Sequence, residues 1–235
     1  MPGPDLSPLH LKPACELAER VLLPGDPHRA LAVAQALLDK PRMFNHHRGL
    51  WGYTGVAADG EPVTIQATGM GGPSTAIVVR ELVDLGARRL IRIGTCGALD
   101  PALALGDLLV VDEALAEDGA SRALGADGRV RPGAALTDAL AAAAGGARGA
   151  VVSTDLFYEE RPGVEDGFAA AGALAVEMEA ATLLQLGRTL GVESACVLAV
   201  SDLLRPRRAR IEPERLEAAG VQLGEAAMAA LAGRG

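Results

Sequence analysis

Residues 63–99 constrain the fold of this chain more than any other stretch, because they read as a strand, a glycine turn, a helix and a second strand. The first strand is apolar and ends at the glycine-rich turn 69–72, after which Pro73 suits the first turn of a helix. Apolar residues then recur at helical spacing and are followed by a second apolar strand, residues 90–93. We expect the glycine-rich residues 94–97 to form a second turn. The pattern predicts a β-α-β unit, and open α/β sheets bind small ligands at the carboxyl ends of such strands.

Arg92 lies within the otherwise apolar second strand, where a charge is costly unless it has a partner. A small anion bound beside the neighbouring turn would provide that partner. Another turn, residues 24–27, also leads into a helix, where backbone N–H groups and the fixed charge of Arg29 could hold an anion. No Walker lysine follows this turn, and an ordinary turn explains it equally well. The two patterns point to an anionic ligand without deciding its identity.

The composition of the 235-residue chain is typical of an α/β protein with a large core, since 49% of it is hydrophobic and aromatic residues are few. Its net charge of −8 argues against a nucleic-acid partner, which calls for a basic surface, but not against a small anionic substrate. Three widely spaced cysteines predict neither disulfides nor a zinc site and favour the cytoplasm. We expect no signal peptide and no membrane span. No linker or repeat divides the chain, so we predict one domain over residues 1–235.

The remaining elements are predicted from apolar patterns and from glycine and proline boundaries. We expect strands at residues 21–23, 108–111, 149–153 and 194–200, and helices at residues 30–38, 136–144, 180–190 and 213–231. Residues 1–13 are interpreted as an extended N-terminal arm. The arginine-rich run 205–210 is interpreted as a solvated loop, which is the usual role of such a run.

A few side chains are candidates for chemistry on their own. The adjacent histidines 46 and 47 do not predict a metal site, because neighbouring side chains of a strand point to opposite faces and no third ligand follows. Phe157 lies just past a strand end, where it either stacks on a planar ligand or packs locally. Glu179 begins a helix, where it either interacts with the helix dipole or accepts hydrogen bonds from sugar hydroxyls. Asp202 ends a buried strand and is a candidate proton donor.

Several segments, taken together and in order, resemble the bacterial purine nucleoside phosphorylases of the hexameric nucleoside phosphorylase family, which also includes uridine phosphorylases. The segments are LPGDPHRA (23–30), HRGLWGYTG (47–55), TGMGGPSTAIVVREL (68–82), RIGTCGAL (92–99), STDLFY (153–158), VEMEAATL (176–183) and VSD (200–202). The pair GMGxPS and RxGTxG is specific to this family. The resemblance implies an α/β fold with a central mixed sheet, partly barrel-like and flanked by helices.

The resemblance also implies a role for each matched residue. It implies phosphate binding by Gly25, Arg29, Arg48, Arg92 and Thr95, ribose binding by His10, Met178 and Glu179, and base binding by Phe157, Val176, Glu177, Ser201 and Asp202. Asp202 would protonate the purine at N7, with Arg215 as its helper. Inorganic phosphate would be a co-substrate, and the resemblance implies no cofactor or metal.

The implied activity is that of a pentosyltransferase in purine salvage. It splits a purine ribonucleoside or deoxyribonucleoside reversibly with phosphate, giving the free base and the pentose 1-phosphate. The implied assembly is a homohexamer, a trimer of dimers, in which His10 and Arg48 enter the site of the neighbouring subunit.

Three alternatives remain beside this interpretation. Uridine phosphorylases place a glutamine and an arginine before the VEME-like segment, and residues 165–171 contain neither. A methylthioadenosine-type nucleosidase of the same fold would not need the arginines at positions 29 and 92. A non-catalytic nucleotide-binding module is disfavoured because residues 69–74 lack the third glycine of GxGxxG. The sequence leaves open whether adenosine or the 6-oxopurine nucleosides are preferred, and whether ribose or deoxyribose is.

Overall fold

The computed structural model describes residues 8–232 and has the expected fold class, α/β with a central mixed sheet and flanking helices. The strands are β1 (Arg20–Leu23), β2 (Asp39–Asn45), β3 (Gly52–Val56), β4 (Pro62–Gln66), β5 (Arg89–Ala98), β6 (Leu108–Ala116), β7 (Arg129–Val130), β8 (Ala147–Ser153), β9 (Ala173–Glu177), β10 (Glu193–Leu203) and β11 (Ala209–Arg210). The helices are α1 (Pro27–Leu37), α2 (Gly72–Asp84), α3 (Gly119–Ala123), α4 (Ala134–Ala144), α5 (Val164–Ala170), α6 (Ala180–Leu190) and α7 (Pro213–Ala232).

Part of the sheet closes on itself, in agreement with the expected partly barrel-like sheet. The strand order is β11-β10-β6-β8-β9-β5-β1-β4-β3-β2, and β10 also pairs directly with β5. Strands β5, β10, β6, β8 and β9 therefore form a closed ring, while β1, β4, β3 and β2 extend from it as an open wing. The ring mixes parallel and antiparallel pairs, and closure removes the free edges that an open sheet would expose.

The two helix layers follow from the alternation of side chains along the strands. On β5, Ile91 packs in the core beneath α1, α4 and α7, whereas its neighbour Leu90 packs beneath α2 and α6. Val33 and Leu223 contribute to the first layer from α1 and α7, and Leu82 contributes to the second from α2. Both layers cover the parallel centre of the sheet, so the carboxyl ends of β1, β4, β5 and β10 meet at one edge.

The β-α-β unit expected at residues 63–99 is β4-α2-β5, but its second glycine turn is not a turn. Strand β5 continues through residues 94–97 to Ala98. A Cβ on Gly94 would come within 2.6 Å of the Arg92 guanidinium, and one on Gly97 would come within 3.0 Å of the Leu204 side chain. These glycines therefore leave room for neighbouring side chains on a continuous strand. The first predicted glycine turn, residues 69–72, is present in the structure, and its Gly69 and Gly71 have positive φ values of 74° and 83°.

Residues 1–7 of the expected N-terminal arm lie outside the described residues, and residues 8–13 lie against α2. The Glu81 carboxylate of α2 accepts hydrogen bonds from the backbone N–H groups of Leu9, His10 and Leu11 at 2.8–3.1 Å. Leu11 is fully buried. This part of the arm is anchored to its own chain.

No helix within residues 8–232 is long and apolar enough to cross a membrane.

Candidate active site

Arg92 lies on β5 at the centre of the site, and two glutamates hold it. Its Nε donates to Glu177 Oε2 at 3.1 Å, and its Nη2 lies 2.5 Å from Glu179 Oε2. Burial alone would lower the pKa of the guanidinium, but Glu179 and Glu177 raise it above its usual value. Arg92 is therefore charged and fixed in place, and its remaining nitrogen, Nη1, lies on the side of the Gly25 loop.

Glu177 ends β9 and caps the N-terminus of α6 with the same carboxylate that binds Arg92. It accepts hydrogen bonds from the backbone N–H groups of Glu179 and Ala180 at 2.9–3.0 Å and from the Ser153 hydroxyl. Burial raises the pKa of Glu177, and Arg92 opposes that rise. Both carboxylate oxygens are thus engaged inside the protein, and Glu177 supports the site through Arg92 and α6.

Glu179 links the glycine turn after β4 to Arg92. Its Oε1 accepts a hydrogen bond from the Gly71 backbone N–H at 2.5 Å, while Oε2 faces Arg92. Met178, which lies between the two glutamates in the sequence, is half-buried. A carboxylate has about four lone-pair positions, so Glu179 can accept further hydrogen bonds from a ligand.

The loop after β1 lies beside Arg92 and leads into α1, whose first turn carries a second cation, Arg29. Gly25 approaches the turn after β4 closely, since its carbonyl accepts from the Gly69 N–H at 3.1 Å and a Cβ on it would lie 3.2 Å from the Gly69 carbonyl oxygen. The Asp26 carboxylate caps α1. Burial lowers the pKa of Arg29, Asp26 opposes this effect, and the nearby Arg92 reinforces it. Two cations that disfavour each other's charge would both be stabilised by an anion bound between them.

Asp202 and Ser201 lie at the end of β10, next to the end of β9. Asp202 pairs with Gly97 of β5 on one side, and Val176 of β9 pairs with the same Gly97 on the other. Ser201 Oγ lies 2.8 Å from Asp202 Oδ2 and 3.2 Å from the carbonyl oxygen of Cys96. The candidate base-binding residues Val176 of β9 and Ser201 and Asp202 of β10 therefore lie on the two strands that flank β5. Strand β10 runs one residue beyond Asp202, to Leu203, rather than ending at it.

Three further expected site residues lie on β5, on the loop after β8 and on α7. Thr95 is half-buried on β5 and pairs with Ala199 of β10. Phe157 is 62% exposed on the loop after β8, in edge-to-face contact with Tyr158. Arg215 donates to the carbonyl oxygen of Leu105 at 3.0 Å, and no ion pair joins it to Asp202 within residues 8–232.

His10 and Arg48 lie on the surface rather than beside Arg92. His10 Nδ1 is 2.7 Å from Glu81 Oε1, and the His10 carbonyl oxygen lies 3.0 Å from His47 Nδ1. Arg48 is exposed on a short 3-10 turn (His47–Gly49), where its φ of 59° is left-handed. Within a single chain, the side chains of His10 and Arg48 therefore lie outside the Arg92 cluster.

Sequence reasoning missed two residues that contact the cluster, Ser153 and Arg210. Ser153 bonds Glu177 and also accepts from the N–H of Ala181, and its position at the end of a predicted strand was the available signal. Arg210 lies 3.6 Å from Asp202. The run 205–210 was interpreted as a solvated loop. Residues 206–210 are exposed, as that interpretation expects, but residues 209–210 form β11, and three of the arginines form ion pairs.

Within the described chain, no group of three or more histidine, cysteine, aspartate or glutamate side chains is arranged to hold a metal ion. The cluster instead offers the fixed cation of Arg92 with Arg29 nearby, a carboxylate that can bind hydroxyl groups and a separate carboxyl group at a strand end. Such a set can hold an anion next to a polyhydroxylated ligand and supply a proton to it.

The fold and this site belong to a known class of proteins. A family model described as "Phosphorylase superfamily" matches residues 19–232, and the chain belongs to that superfamily. More particularly, the chain is 37% identical over 226 residues to the "Purine nucleoside phosphorylase DeoD-type" of Roseobacter denitrificans, covering 92% of this chain and 96% of that relative.

Two further relatives carry the same description. The protein of Jannaschia sp. is 39% identical over 208 residues, covering 85% of this chain and 88% of the relative. The protein of Geobacillus kaustophilus is 38% identical over 195 residues, covering 80% of this chain and 82% of the relative. The recognition made from the sequence motifs is confirmed at the level of the family.

Proposed function

We propose that this chain is a purine nucleoside phosphorylase, which transfers the pentose of a purine nucleoside to inorganic phosphate. The observation that carries the proposal is the buried Arg92, held between Glu177 and Glu179 and directed toward the Gly25 loop, in a chain whose relatives are described as purine nucleoside phosphorylases. The site needs no cofactor for this reaction, because phosphate is itself the nucleophile.

Phosphate binds between Arg29 and Arg92, with the backbone of Gly25 and the hydroxyl of Thr95 as further contacts. The mutual repulsion of the two arginines supports this position, because a dianion would stabilise both charges. Cleavage of the N-glycosidic bond builds positive charge on the sugar and negative charge on the departing base. Phosphate held below the sugar both stabilises that cation and attacks C1′, so positioning and electrostatics supply most of the catalysis.

The ribose is held by Glu179 and Met178, and the base by Phe157, Val176 and Ser201. Glu179 suits the 2′- and 3′-hydroxyl groups because its carboxylate retains acceptor capacity beside Gly71 and Arg92. The resemblance implies that Glu177 contacts the base, but both of its carboxylate oxygens already form hydrogen bonds within the protein. We now propose that it acts by fixing Arg92 and the start of α6.

Asp202 donates a proton to N7 of the purine as the glycosidic bond breaks. Its position at a strand end, next to Val176 and Ser201, supports this role. We expect Asp202→Asn to keep the melting temperature and nucleoside binding but to lower kcat for inosine by about a hundred- to ten-thousand-fold, the usual contribution of a positioned general acid. Full turnover by this variant would remove the acid role.

The active assembly is a homohexamer built from dimers, with His10 and Arg48 contributed to the neighbouring site. Two features of the described chain support a shared interface. The Arg48 side chain is exposed on the surface of its own chain. In addition, Leu156, Phe157 and Tyr158 form a contiguous exposed apolar segment on the loop after β8. The free cysteines at positions 15, 96 and 196 support a cytoplasmic location.

The decisive experiment measures base release from inosine and from adenosine, with and without inorganic phosphate, and identifies the sugar product. We expect cleavage only with phosphate, yielding ribose 1-phosphate, and the ratio of the two rates gives the base preference. Equal cleavage without phosphate would identify a nucleosidase instead. Cleavage of uridine alone would identify a uridine phosphorylase, and cleavage of none of these would favour a binding module.

A further inference from the structure

Helix α2 leads from the site to the N-terminal segment of the same chain. It begins at the glycine turn whose Gly71 N–H bonds Glu179, and it carries Glu81 near its other end. Glu81 lies ten residues beyond Gly71, which at about 1.5 Å per residue is roughly 15 Å along the helix axis. His10, which contacts Glu81, is thereby held away from the Arg92 cluster of its own chain.

The Glu81 carboxylate accepts hydrogen bonds from this segment with both of its oxygens. Its Oε1 lies 2.7 Å from His10 Nδ1 and accepts from the N–H of Leu9 at 3.1 Å, while Oε2 accepts from the N–H of Leu11 at 2.8 Å. Burial raises the pKa of Glu81, but the hydrogen bonds from His10 and from the backbone outweigh this effect and lower it. The group is therefore an ionised carboxylate, which accepts hydrogen bonds and cannot donate them.

This carboxylate decides which nitrogen of the His10 ring carries a proton. Because Glu81 only accepts, Nδ1 is the donor, and Nε2 of the neutral ring is then an acceptor. The backbone of His10 is also fixed, since its carbonyl oxygen accepts from His47 Nδ1 at 3.0 Å. Within residues 8–232, Nε2 of His10 has no hydrogen-bond partner, and the side chain is 32% exposed. The ring therefore has one nitrogen of defined chemistry left for a ligand.

We propose that Glu81 is a positioning residue for His10, and that it holds the ring so that Nε2 accepts a hydrogen bond from the 5′-hydroxyl group of a nucleoside in the neighbouring subunit's site. The proposal rests on the proposed function, in which His10 enters that site. There Glu179 holds the 2′- and 3′-hydroxyl groups, so the 5′-hydroxyl is the ribose donor left for His10. Without Glu81 the ring would exchange tautomers and rotate, and ligand binding would have to order it first.

The test compares inosine with 5′-deoxyinosine, which lacks only the 5′-hydroxyl group. We expect Glu81→Gln to lower kcat/KM for inosine by about three- to tenfold, as for the loss of one hydrogen bond, and to leave kcat/KM for 5′-deoxyinosine unchanged. The amide of glutamine can donate its own N–H to Nδ1, so the ring is no longer held in one tautomer. Both rates are measured at saturating phosphate, at a temperature where circular dichroism shows every variant to be folded.

A double variant separates positioning from a structural role. We expect His10→Ala to cause an inosine-selective loss at least as large, and Glu81→Gln to add nothing in the His10→Ala background, because Glu81 acts through that ring. Asp84→Asn is the matched control, since it removes a carboxylate charge from an exposed position of the same helix and should leave both rates unchanged. The proposal is overturned if Glu81→Gln slows both nucleosides equally, slows neither, or causes a further loss in the His10→Ala background.

These outcomes are distinct from failure of the proposed function. If the unaltered enzyme does not split inosine with phosphate, the function itself is wrong. If it splits inosine and His10→Ala slows inosine and 5′-deoxyinosine alike, His10 does not bind the 5′-hydroxyl group, and only this inference is wrong.

Discussion

Arg92 shows what a single residue in a sequence can and cannot reveal. A charge inside an apolar strand predicts a partner, because burial without one is too costly. We expected that partner to be a bound anion. The structure gives Arg92 two carboxylates of the same chain, Glu177 and Glu179, 85 and 87 positions further along. Such partners cannot be assigned from one sequence, since strand order decides which distant residues meet.

Removing the Arg92 charge should destabilise the fold as well as the site. In Arg92→Met, Glu177 and Glu179 would remain buried without a cation, and we expect a loss of about 3–5 kcal/mol in the free energy of unfolding. Urea denaturation followed by circular dichroism measures this loss. The control is Arg80→Met, which breaks an exposed pair with Asp84 on α2 and should cost about 0.5 kcal/mol or less. Equal losses in the two variants would contradict the role of Arg92.

At the scale of elements, the long helices and core strands were predictable, whereas the short strands were not. Helix α6 was expected at residues 180–190 and begins and ends there, because its apolar face and the glycine after it are local signals. The two-residue strands β7 and β11 were not predicted, because their hydrogen bonds come from β6 and β10. Glycines 94–97 were misassigned as a turn, since a glycine that makes room for a side chain looks the same in sequence as one that bends the chain.

The contact between α2 and the N-terminal segment should depend on pH through Glu81. Burial raises the pKa of Glu81, but hydrogen bonds from His10, Leu11 and Leu9 outweigh it and lower the pKa below 4.5. The ionised carboxylate therefore stabilises the fold above pH 4.5, and this contribution is lost as the pH falls through the lowered pKa. We expect Glu81→Gln to lower the free energy of unfolding by about 1–3 kcal/mol at pH 7.

Urea titrations of this variant and the unaltered chain, at pH 7 and at decreasing pH, measure the effect. The difference between the two proteins should shrink as the pH falls below 4.5. Asp84→Asn, an exposed position on the same helix, serves as the control and should show little change. A difference for Glu81→Gln that stays constant with pH would mean that the carboxylate charge does not hold the segment.

At the scale of the whole molecule, the net charge of −8 and the local charge of the site have opposite signs. Arg29 and Arg92 converge on the Gly25 loop although acidic residues outnumber basic ones overall. The composition disfavours a polyanionic partner but carries no information on these local cations. One chain leaves Arg48 and His10 outside the cluster, and we propose that the assembly brings them to the neighbouring site.

If neighbouring subunits share their sites, two inactive variants should complement each other. Arg48→Ala removes a residue proposed to act in the neighbour's site, and Asp202→Asn removes a residue proposed to act in the site of its own chain. In a mixed dimer, the site containing Asp202 receives Arg48 from its partner and is intact. We expect co-refolded equal mixtures to regain about a quarter of full activity, from random pairing in a two-fold dimer. Separately refolded and then pooled variants are the control, and equal low activity in both samples would exclude shared sites.

The site is built from contacts that span most of the chain. The hydrogen bonds Gly71–Glu179, Cys96–Ser201 and Arg92–Glu177 close loops of 108, 105 and 85 residues. Contacts of such separation form late in folding, because each loop must close before the contact stabilises anything. Helical signal should therefore return before catalysis when the denatured chain is diluted into buffer. The return of enzyme activity therefore reports on the last stage of folding, when the five-stranded ring closes and these distant residues meet.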